Sequence, residues 1–177
     1  MPVDDATQPP HLILGGAKSG KSAYAEKLVA VYPAPYIYVA TAQVLDEEMA
    51  DRVRAHQKRR VHSWESVESP LDLMKTLADL QGRRRAVLVD CLTLWLTNLL
   101  LRTPVEPPEE ALADLVNFIQ VADYPLFLVS NEVGGGIVPE NALARRFRDL
   151  AGFANQQVAA ACRAVTLVVA GLPLRLK

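Results

Sequence analysis

The segment GGAKSGKS, residues 15–22, follows the apolar run HLIL and opens a run in which apolar residues recur at helical spacing. Gly15, Gly20, Lys21 and Ser22 have the spacing of a complete P-loop, and a position between a strand and a helix is the context that such a loop requires. Its glycines let backbone N–H groups surround phosphate oxygens, and the amino terminus of the helix adds a favourable field. The alternative is a glycine-rich turn that only caps a helix. The segment therefore predicts a nucleotide phosphate site.

The pattern also predicts the chemistry of individual side chains. Lys21 is expected to reach the β- and γ-phosphates as a catalytic residue, and Ser22 is expected to ligate Mg²⁺. Asp90 ends the apolar run AVLV, where a carboxylate that supports the magnesium shell is expected; the alternative is a cap for the next helix. Thr41 ends the run YIYVA, and its hydroxyl is either a ligand contact or a plain strand-end group. The predicted loop contacts are Gly15, Gly16, Ala17, Lys18, Ser19, Gly20, Lys21 and Ser22.

Apolar runs alternate with amphipathic runs along most of the chain. The predicted strands are HLILGG, APYIYVAT, RAVLVD, YPLFLVSNE and VTLVVAG. The predicted helices are KSAYAEKLVAVY, DEEMADRVRAHQKRR, SPLDLMKTLADLQG, CLTLWLTNLLL, EPPEEALADLVNFIQVA and ENALARRFRDLAGFANQQVAAACRA. In the third helix, Ser69 is the predicted N-cap and Pro70 the first helical residue. The alternation predicts an α/β, P-loop NTPase-like fold, a mostly parallel sheet with helices on both faces and ligands at the carboxyl ends of its strands.

Length and composition fit one globular domain. The chain has 177 residues, 50% of them hydrophobic, and residues 1–10 are expected to be a disordered tail before a single domain over 11–177. The net charge of -1 gives no basic field for nucleic acid. The most apolar run, 91–101, is shorter than the roughly 20 residues of a membrane span, so a buried helix is expected. Cys91 and Cys162 lack CxxC spacing, which predicts buried free thiols in a cytoplasmic protein.

The same features restrict the function. The sequence contains no Asn-Lys-x-Asp motif, by which regulatory GTPases recognise guanine, and it is too short for a motor or a large ATPase. A small-molecule kinase or a nucleotidyltransferase is therefore favoured over a nucleotide-dependent switch that acts by binding partners.

Longer motifs carry a resemblance to a known family. They are SNEVGGGIVPENALARRFRDLAGFANQQVA, YVATAQVLDEEMADRVRAHQKRR and VLVDCLTLWLTNLL. From about His11 to Lys177, the chain resembles the adenosylcobinamide kinase / adenosylcobinamide-phosphate guanylyltransferase family of cobalamin synthesis. The resemblance implies that a nucleoside triphosphate, ATP or GTP, phosphorylates adenosylcobinamide. GTP then donates GMP to that phosphate, which gives adenosylcobinamide-GDP and pyrophosphate. A small-molecule P-loop kinase without guanylyltransferase activity is the alternative.

The resemblance also implies a catalytic histidine in the basic segment MADRVRAHQKRRVHSW, residues 49–64. The family forms a GMP-histidine intermediate, and His56 matches its nucleophile. Cations on either side disfavour a protonated imidazole, and a nucleophile must be unprotonated. On a helix, Arg52, Arg59 and Arg60 would share a face with His56. Local sequence alone leaves an alternative, a solvated basic helix end with an idle histidine.

Further site positions follow from the same carry-over. Outside the P-loop, the expected nucleotide-binding positions are Thr41, Lys58, Arg59, Arg60, Glu68 and Asp90. Glu68 would accept hydrogen bonds from a guanine edge or a ribose, or it is the charged lead-in to a helix. Two positions depart from the family: Lys18, where arginine is frequent, and Ala55, where some members have a second histidine.

The partners implied are adenosylcobinamide, its phosphate, nucleoside triphosphates with Mg²⁺, and copies of the chain in a homotrimer. The predicted helix over 46–60 could lie at a subunit boundary. The glycine-rich loop within 130–141 is either a corrinoid-facing loop or a structural turn. The sequence does not assign a role to His62, the corrinoid-binding surface, or a preference for ATP or GTP in the kinase step.

Overall fold

The computed structural model describes residues 8–43, 63–102 and 107–177. The strands are β1 His11–Gly15, β2 Tyr36–Ala40, β3 Trp64–Glu68, β4 Val87–Asp90, β5 Leu126–Asn131, β6 Ala164–Val169 and β7 Leu172–Arg175. The helices are α1 Lys21–Val29, α2 Leu73–Asp79, α3 Leu92–Leu101, α4 Pro108–Val121 and α5 Ala142–Ala161. The charged helix predicted over 46–60 lies outside the described residues.

The strands form one sheet in the order β3-β2-β4-β5-β1-β6-β7. The pairings from β3 to β6 are parallel, and β7 is antiparallel to β6. Strand β1, which leads into the P-loop, lies between β5 and β6 and is buried along its whole length. Parallel strands end at the same side of a sheet, and we call that side the carboxyl edge and its opposite the amino edge. The mostly parallel sheet predicted from the sequence is confirmed.

Helices cover both faces of the sheet, also as predicted. Side chains alternate between faces along a strand, so Leu12 and Ile13 of β1 enter different cores. Helix α1 packs on one face, where Ala25 and Val29 join Ile13. Helices α2 to α5 pack on the other face, where the fully buried Trp95 of α3 joins Leu12. None of the helices in the described ranges is long and apolar enough to cross a membrane.

Two strands were not predicted, and they are the two outermost strands of the sheet. β3 has the sequence WESVE, and its residues are half-buried or exposed. Its pairing with β2 is reinforced by the Trp64 ring, whose centroid lies 4.9 Å from that of Tyr36. β7 has the sequence LPLR and is exposed at every residue. Edge strands tolerate proline because one side of their backbone needs no ladder partner, which explains Pro173.

The predicted start of α2 is wrong by three residues. The helix begins at Leu73 with Asp72 as its N-cap residue, not at Pro70 after Ser69. Ser69 instead extends the pairing of β2 and β3, since its N–H donates to the carbonyl of Ala40 at 2.7 Å. The Ser69 hydroxyl is buried and accepts a hydrogen bond from the Thr76 hydroxyl. A Ser-Pro pair resembles a helix start, but here it belongs to the turn before the helix.

The end of the chain is bonded to the carboxyl terminus of α5. Lys177 Nζ donates to the carbonyls of Ala159, Ala160 and Cys162 at 2.7–3.0 Å. A cation that binds the last carbonyls of a helix also interacts favourably with the helix dipole. The backbone of Lys177 is paired in both directions with Val165 of β6. This arrangement holds the amino edge together next to α5.

Candidate nucleotide-binding site at the carboxyl edge

The P-loop wraps the carboxyl end of β1 and opens α1. The Ser19 N–H donates to the Gly16 carbonyl at 3.3 Å, which closes the turn of the loop. The side chain of Lys21 is buried, and its Nζ donates to the Gly16 carbonyl at 3.1 Å. The lysine ammonium therefore lies folded over the loop, where phosphate oxygens would replace a carbonyl as its partner. The structure brings Gly15 to Ser22 together as the sequence predicted.

Two of the loop glycines are required by geometry. A Cβ atom on Gly15 would lie 2.6 Å from the carbonyl oxygen of Val168 in the neighbouring strand β6. Gly20 has φ of 95°, a left-handed conformation that side chains rarely adopt. Lys18 also has a left-handed backbone, with φ of 55°, although it is not glycine. A strained lysine at the tip of a phosphate loop fits a residue placed there for its charge.

The turn between β6 and β7 supports the P-loop from outside the motif. The Gly171 N–H donates to the Ser19 carbonyl at 2.8 Å. The Cα of Gly171 lies only 3.2 Å from the position that a Cβ on Gly20 would occupy. Because β7 was not predicted, this support was missed in the sequence. Gly171, with φ of 80°, is the signal that marks the turn.

The charges of Lys21 and Asp90 both affect the pKa of the Cys91 thiol. Asp90 is half-buried at the end of β4, and Cys91 follows it fully buried. Burial, followed by the negative charge of Asp90, raises the pKa of the Cys91 thiol to about 11, while the charge of Lys21 acts in the opposite direction. Cys91 is therefore a neutral structural thiol. Only β5 separates β4, which ends at Asp90, from β1, which leads into the P-loop, so Lys21 and Asp90 follow strands that end at the same side of the sheet.

Ser22 and Asp90 fit a magnesium ion that is bound together with a nucleotide. Neither side chain has a hydrogen bond or ion pair with another described residue. Both supply hard oxygen atoms, which Mg²⁺ prefers, and Mg²⁺ at nucleotide sites keeps waters and phosphates as its other ligands. The described residues contain no cluster of three or more His, Cys, Asp or Glu side chains that could hold a metal. Ser22 and Asp90 therefore fit an ion that is bound together with the nucleotide phosphates.

Thr41 is at the same edge, but its hydroxyl is already used. The hydroxyl donates to the Cys91 carbonyl at 2.7 Å and accepts from the Cys91 N–H at 2.8 Å. Its own carbonyl accepts from Asn98 Nδ2 at 2.8 Å, and the residue is fully buried. This geometry favours the strand-end alternative over direct ligand contact. Thr41 positions the link between β4 and α3, and thereby the carboxylate of Asp90.

The other predicted positions divide into two groups. Glu68 is the last residue of β3 and is exposed at the carboxyl edge, so it is a strand end and not the lead-in to a helix. The positions outside the described residues are His56, Lys58, Arg59 and Arg60. They stay predictions. Gln43, the last described residue before them, follows Thr41 by two positions at the carboxyl edge.

The loop after β5 is fixed by arginines of α5. Arg148 donates to the Gly134 carbonyl at 3.0 Å, and Arg145 donates to the carbonyl of Pro139 at the same distance. Asn141 caps α5 by accepting a hydrogen bond from the Ala144 N–H. Ile137 is 96% exposed on this loop. The loop is therefore both a structural connection and an accessible surface above the sheet.

Comparison with known proteins gives a single family. Residues 11–176 match the family model for cobinamide kinase / cobinamide phosphate guanyltransferase. The chain is 46% identical to a bifunctional adenosylcobalamin biosynthesis protein of Pseudomonas aeruginosa, over 94% of this chain and 96% of that one. It is 40% identical to a protein of the same description from Escherichia coli, and 42% identical to one from Salmonella typhimurium. Each of these two alignments covers 94% of this chain and 98% of the other protein.

More distant structures share the fold alone. A protein of Pyrococcus horikoshii superimposes with a TM-score of 0.54 at 9% identity, over 97% of this chain and 87% of that one. A prototypical ATPase from a bacterial type III secretion system gives a TM-score of 0.52 at 11% identity, over 96% of this chain and 57% of that one. The α/β fold of P-loop proteins is thereby confirmed.

Proposed function

The chain belongs to the cobinamide kinase / cobinamide phosphate guanyltransferase family, and we propose that both reactions take place at its carboxyl edge. The first reaction phosphorylates adenosylcobinamide with a nucleoside triphosphate. The second transfers GMP from GTP to the new phosphate and gives adenosylcobinamide-GDP and pyrophosphate. The observation that carries the location is the strand order β4-β5-β1, which places Asp90 and the P-loop with Lys21 at the same edge.

In the kinase step, the protein acts by position and charge. The hydroxyl oxygen of adenosylcobinamide forms a bond to the γ-phosphorus while the bond to the bridging oxygen breaks and nucleoside diphosphate leaves. Lys21 is free to exchange the Gly16 carbonyl for phosphate oxygens, which carry increased charge in the transition state. Ser22 and Asp90 would hold Mg²⁺, which neutralises phosphate charge when it is bound. The P-loop N–H groups and the amino terminus of α1 would hold the remaining oxygens.

The transferase step attacks a different phosphorus atom. We propose that the His56 imidazole attacks the α-phosphorus of GTP, a P–N bond forms, and pyrophosphate leaves. An oxygen of adenosylcobinamide phosphate then attacks the same phosphorus and releases the histidine. A covalent intermediate divides a difficult displacement into two easier ones. The local cations and the family match support this assignment.

GTP labelled at the α- or the γ-phosphorus tests these roles separately. Wild-type protein with γ-labelled GTP should label cobinamide, and with α-labelled GTP it should form a protein adduct that is labile in acid and persists in alkali. His56→Ala should keep the kinase and lose the adduct. His62→Ala is the matched control and should keep both. An adduct in His56→Ala, or a label mapped to another residue, would exclude His56. Phosphorylated cobinamide without any wild-type adduct would support a kinase with an idle histidine.

The wider assembly is also part of the proposal. We propose a homotrimer in the cytoplasm, in which apolar side chains left exposed in the single chain are covered. β7 is an edge strand with Leu172 exposed by 72% and Leu174 by 57%. Both cysteines are free and buried, as expected in a reducing compartment. Sedimentation equilibrium gives the number of chains, and Leu174→Lys should shift that equilibrium towards smaller species if β7 contributes to the contact.

A further inference from the structure

Asn131 lies between the P-loop and Asp90. β5 separates β1 from β4 in the sheet, and Asn131 is its last residue. Asn131 is aligned with Gly15, the first residue of the P-loop, whereas Asp90 is aligned with Val129. Asn131 therefore extends two positions beyond the level of Asp90, on the strand between the two halves of the nucleotide site. The sequence predicted a role for the loop within 130–141 but none for Asn131 itself.

The backbone of Asn131 is fixed on both sides. Its N–H donates to the Thr93 hydroxyl at 2.7 Å, and its carbonyl accepts from Asn155 Nδ2 at 3.1 Å. Thr93 and Asn155 are only 5% and 7% exposed, so both partners are held within the core. The position of Asn131 is thus determined by main-chain bonds and does not depend on its own side chain.

The side chain of Asn131 has no structural bond among the described residues. Its Oδ1 is buried without a hydrogen-bond partner, and its Nδ2 has no acceptor there. Asn98 shows the contrast, because its Nδ2 donates to the carbonyls of Thr41 and Pro70 at 2.8 and 2.9 Å. Buried polar groups are nearly always paired in proteins, and an unpaired one at a site indicates a ligand or a catalytic role.

We propose that the Asn131 carboxamide contacts the γ-phosphoryl group during the kinase step, an inference that rests on the proposed function. Nδ2 donates a hydrogen bond to a γ-phosphate oxygen. The hydroxyl oxygen of adenosylcobinamide forms the bond to phosphorus, the bond to the bridging oxygen breaks, and the proton passes to solvent. Asn131 thereby contributes to the preference for a nucleoside triphosphate over a diphosphate.

Asn131→Ala removes the carboxamide and keeps the two main-chain bonds. The ligand-free variant should be as stable as wild type or more stable, because a buried unpaired acceptor has been removed. Its affinity for guanosine β,γ-imidotriphosphate with Mg²⁺ should fall by about 10- to 100-fold, the effect of one hydrogen bond to a charged group. Its affinity for GDP should stay within about 2-fold, since GDP has no γ-phosphate. The kinase kcat should fall as well.

Two further variants make the result decisive. Asn131→Asp has nearly the same size, and its charge should repel the γ-phosphate, so triphosphate affinity should fall further while GDP affinity changes less. Gln156→Ala removes an exposed amide from the same helix as Asn155 and should change none of these quantities.

The outcomes separate the inference from the proposed function. Equal losses for triphosphate and diphosphate together with a lower melting temperature mean a structural role and overturn the inference. An unchanged ratio of the two affinities with a wild-type kcat overturns it too. The ratio of affinities needs no cobinamide, so it still tests Asn131 if wild-type protein fails to phosphorylate cobinamide, which would instead overturn the proposed function.

Discussion

The two edges of the sheet satisfy their polar groups differently. At the amino edge, Lys177 Nζ has three carbonyl partners, and His11 Nε2 is hydrogen-bonded to the Thr166 hydroxyl at 2.9 Å in a fully buried position. At the carboxyl edge, three buried side-chain atoms have no partner among the described residues. They are Ser19 Oγ, Asn131 Oδ1 and Asn155 Oδ1. The Lys177 ammonium and the His11 imidazole at the amino edge have partners within the chain, whereas these three atoms at the carboxyl edge have none among the described residues.

This difference suggests that the polar groups of the amino edge serve stability and that those of the carboxyl edge serve ligand binding. A buried polar atom without a partner costs about 1–3 kcal/mol, a large share of the stability of a small domain. Three such atoms on the P-loop and the adjoining strand and helix are tolerated if a ligand supplies their partners. Substitutions at the carboxyl edge should therefore affect activity more than stability, and those at the amino edge should do the reverse. The variants below test that division.

Lys21→Ala should give the largest effect of any single substitution. It removes the ammonium that we propose binds the phosphates, and loss of one such electrostatic contact costs a rate factor of about 100 to 1,000. Stability should change little, because the only hydrogen bond that the Lys21 side chain makes with a described residue is to the Gly16 carbonyl. Phosphorylation of cobinamide and thermal melting are the two measurements. Lys27→Ala, an exposed lysine at the other end of α1, is the control and should match wild type in both.

A wild-type phosphorylation rate in Lys21→Ala would contradict the expectation that residues at the carboxyl edge determine activity. A large drop in melting temperature would contradict it in another way, because Lys21 would then belong to the stability of the loop.

Asp90→Asn should have the next largest effect. The substitution keeps the shape and the hydrogen-bonding ability of the side chain but removes the charge that a hard cation prefers. We expect the kinase to need more Mg²⁺ and the rate at limiting Mg²⁺ to fall by about 10- to 100-fold. Asp72→Asn, at the exposed start of α2, is the control for the loss of one negative charge. An unchanged magnesium dependence would exclude Asp90 from metal binding.

The same comparison explains what the sequence could predict. β1 and β4 are short apolar runs that end in Gly15 and Asp90, so the strands and their functional ends were found together. β3 has only Trp64 and Val67 as apolar residues, both half-buried, because an edge strand needs little apolar surface. Burial produces the pattern that sequence analysis detects, so exposed strands are missed.

Asn131 was missed for a different reason. Its strand was predicted, but the order of strands in a sheet is not a property of any local segment. Only the observed order β4-β5-β1 places Asn131 between Asp90 and the P-loop. For Thr41 the sequence predicted a polar residue at a strand end. It could not predict that the hydroxyl would be bonded to the backbone of Cys91 and therefore not face a ligand. Local motifs identify chemical groups, and the order of the strands determines which of these groups lie close together.

Lys177→Ala should lower stability and leave activity unchanged. The ammonium is bonded to three carbonyls at the carboxyl terminus of α5, and such a contact with a helix end is worth about 0.3–2 kcal/mol. Chemical denaturation gives the free energy of unfolding, and the kinase assay gives the rate. Lys177→Arg keeps the charge and should recover part of the stability, whereas Lys75→Ala on α2 should have no effect. A loss of kinase activity at full stability would contradict the division.

Substitution of Cys91 should give the smallest effect. This residue lies at the carboxyl edge, but it should affect stability and not activity. It is fully buried, and its pKa is raised to about 11, first by burial and then by Asp90. The unfolded chain has a thiol with the usual pKa of about 9. Between these values the folded state binds more protons than the unfolded state, so the stability due to this group is complete below pH 9 and is lost as the pH rises through 11. One proton corresponds to a slope of about 1.4 kcal/mol per pH unit.

In wild type, the free energy of unfolding should fall as the pH rises above 9. In Cys91→Ala this fall should be less steep by at most about 1.4 kcal/mol per pH unit, but it should still be present. Cys162 contributes in the same direction, since burial raises its pKa to about 12. Denaturation curves for wild type and Cys91→Ala at pH 8 and pH 10 measure the difference, and Cys162→Ala is the matched control at the amino edge. If the two variants flatten the curve alike, the thiols belong to the folding core at both edges. If Cys91→Ala leaves the pH dependence unchanged, the thiol has the same pKa in the folded and unfolded chain, which would contradict the effect of burial on this group.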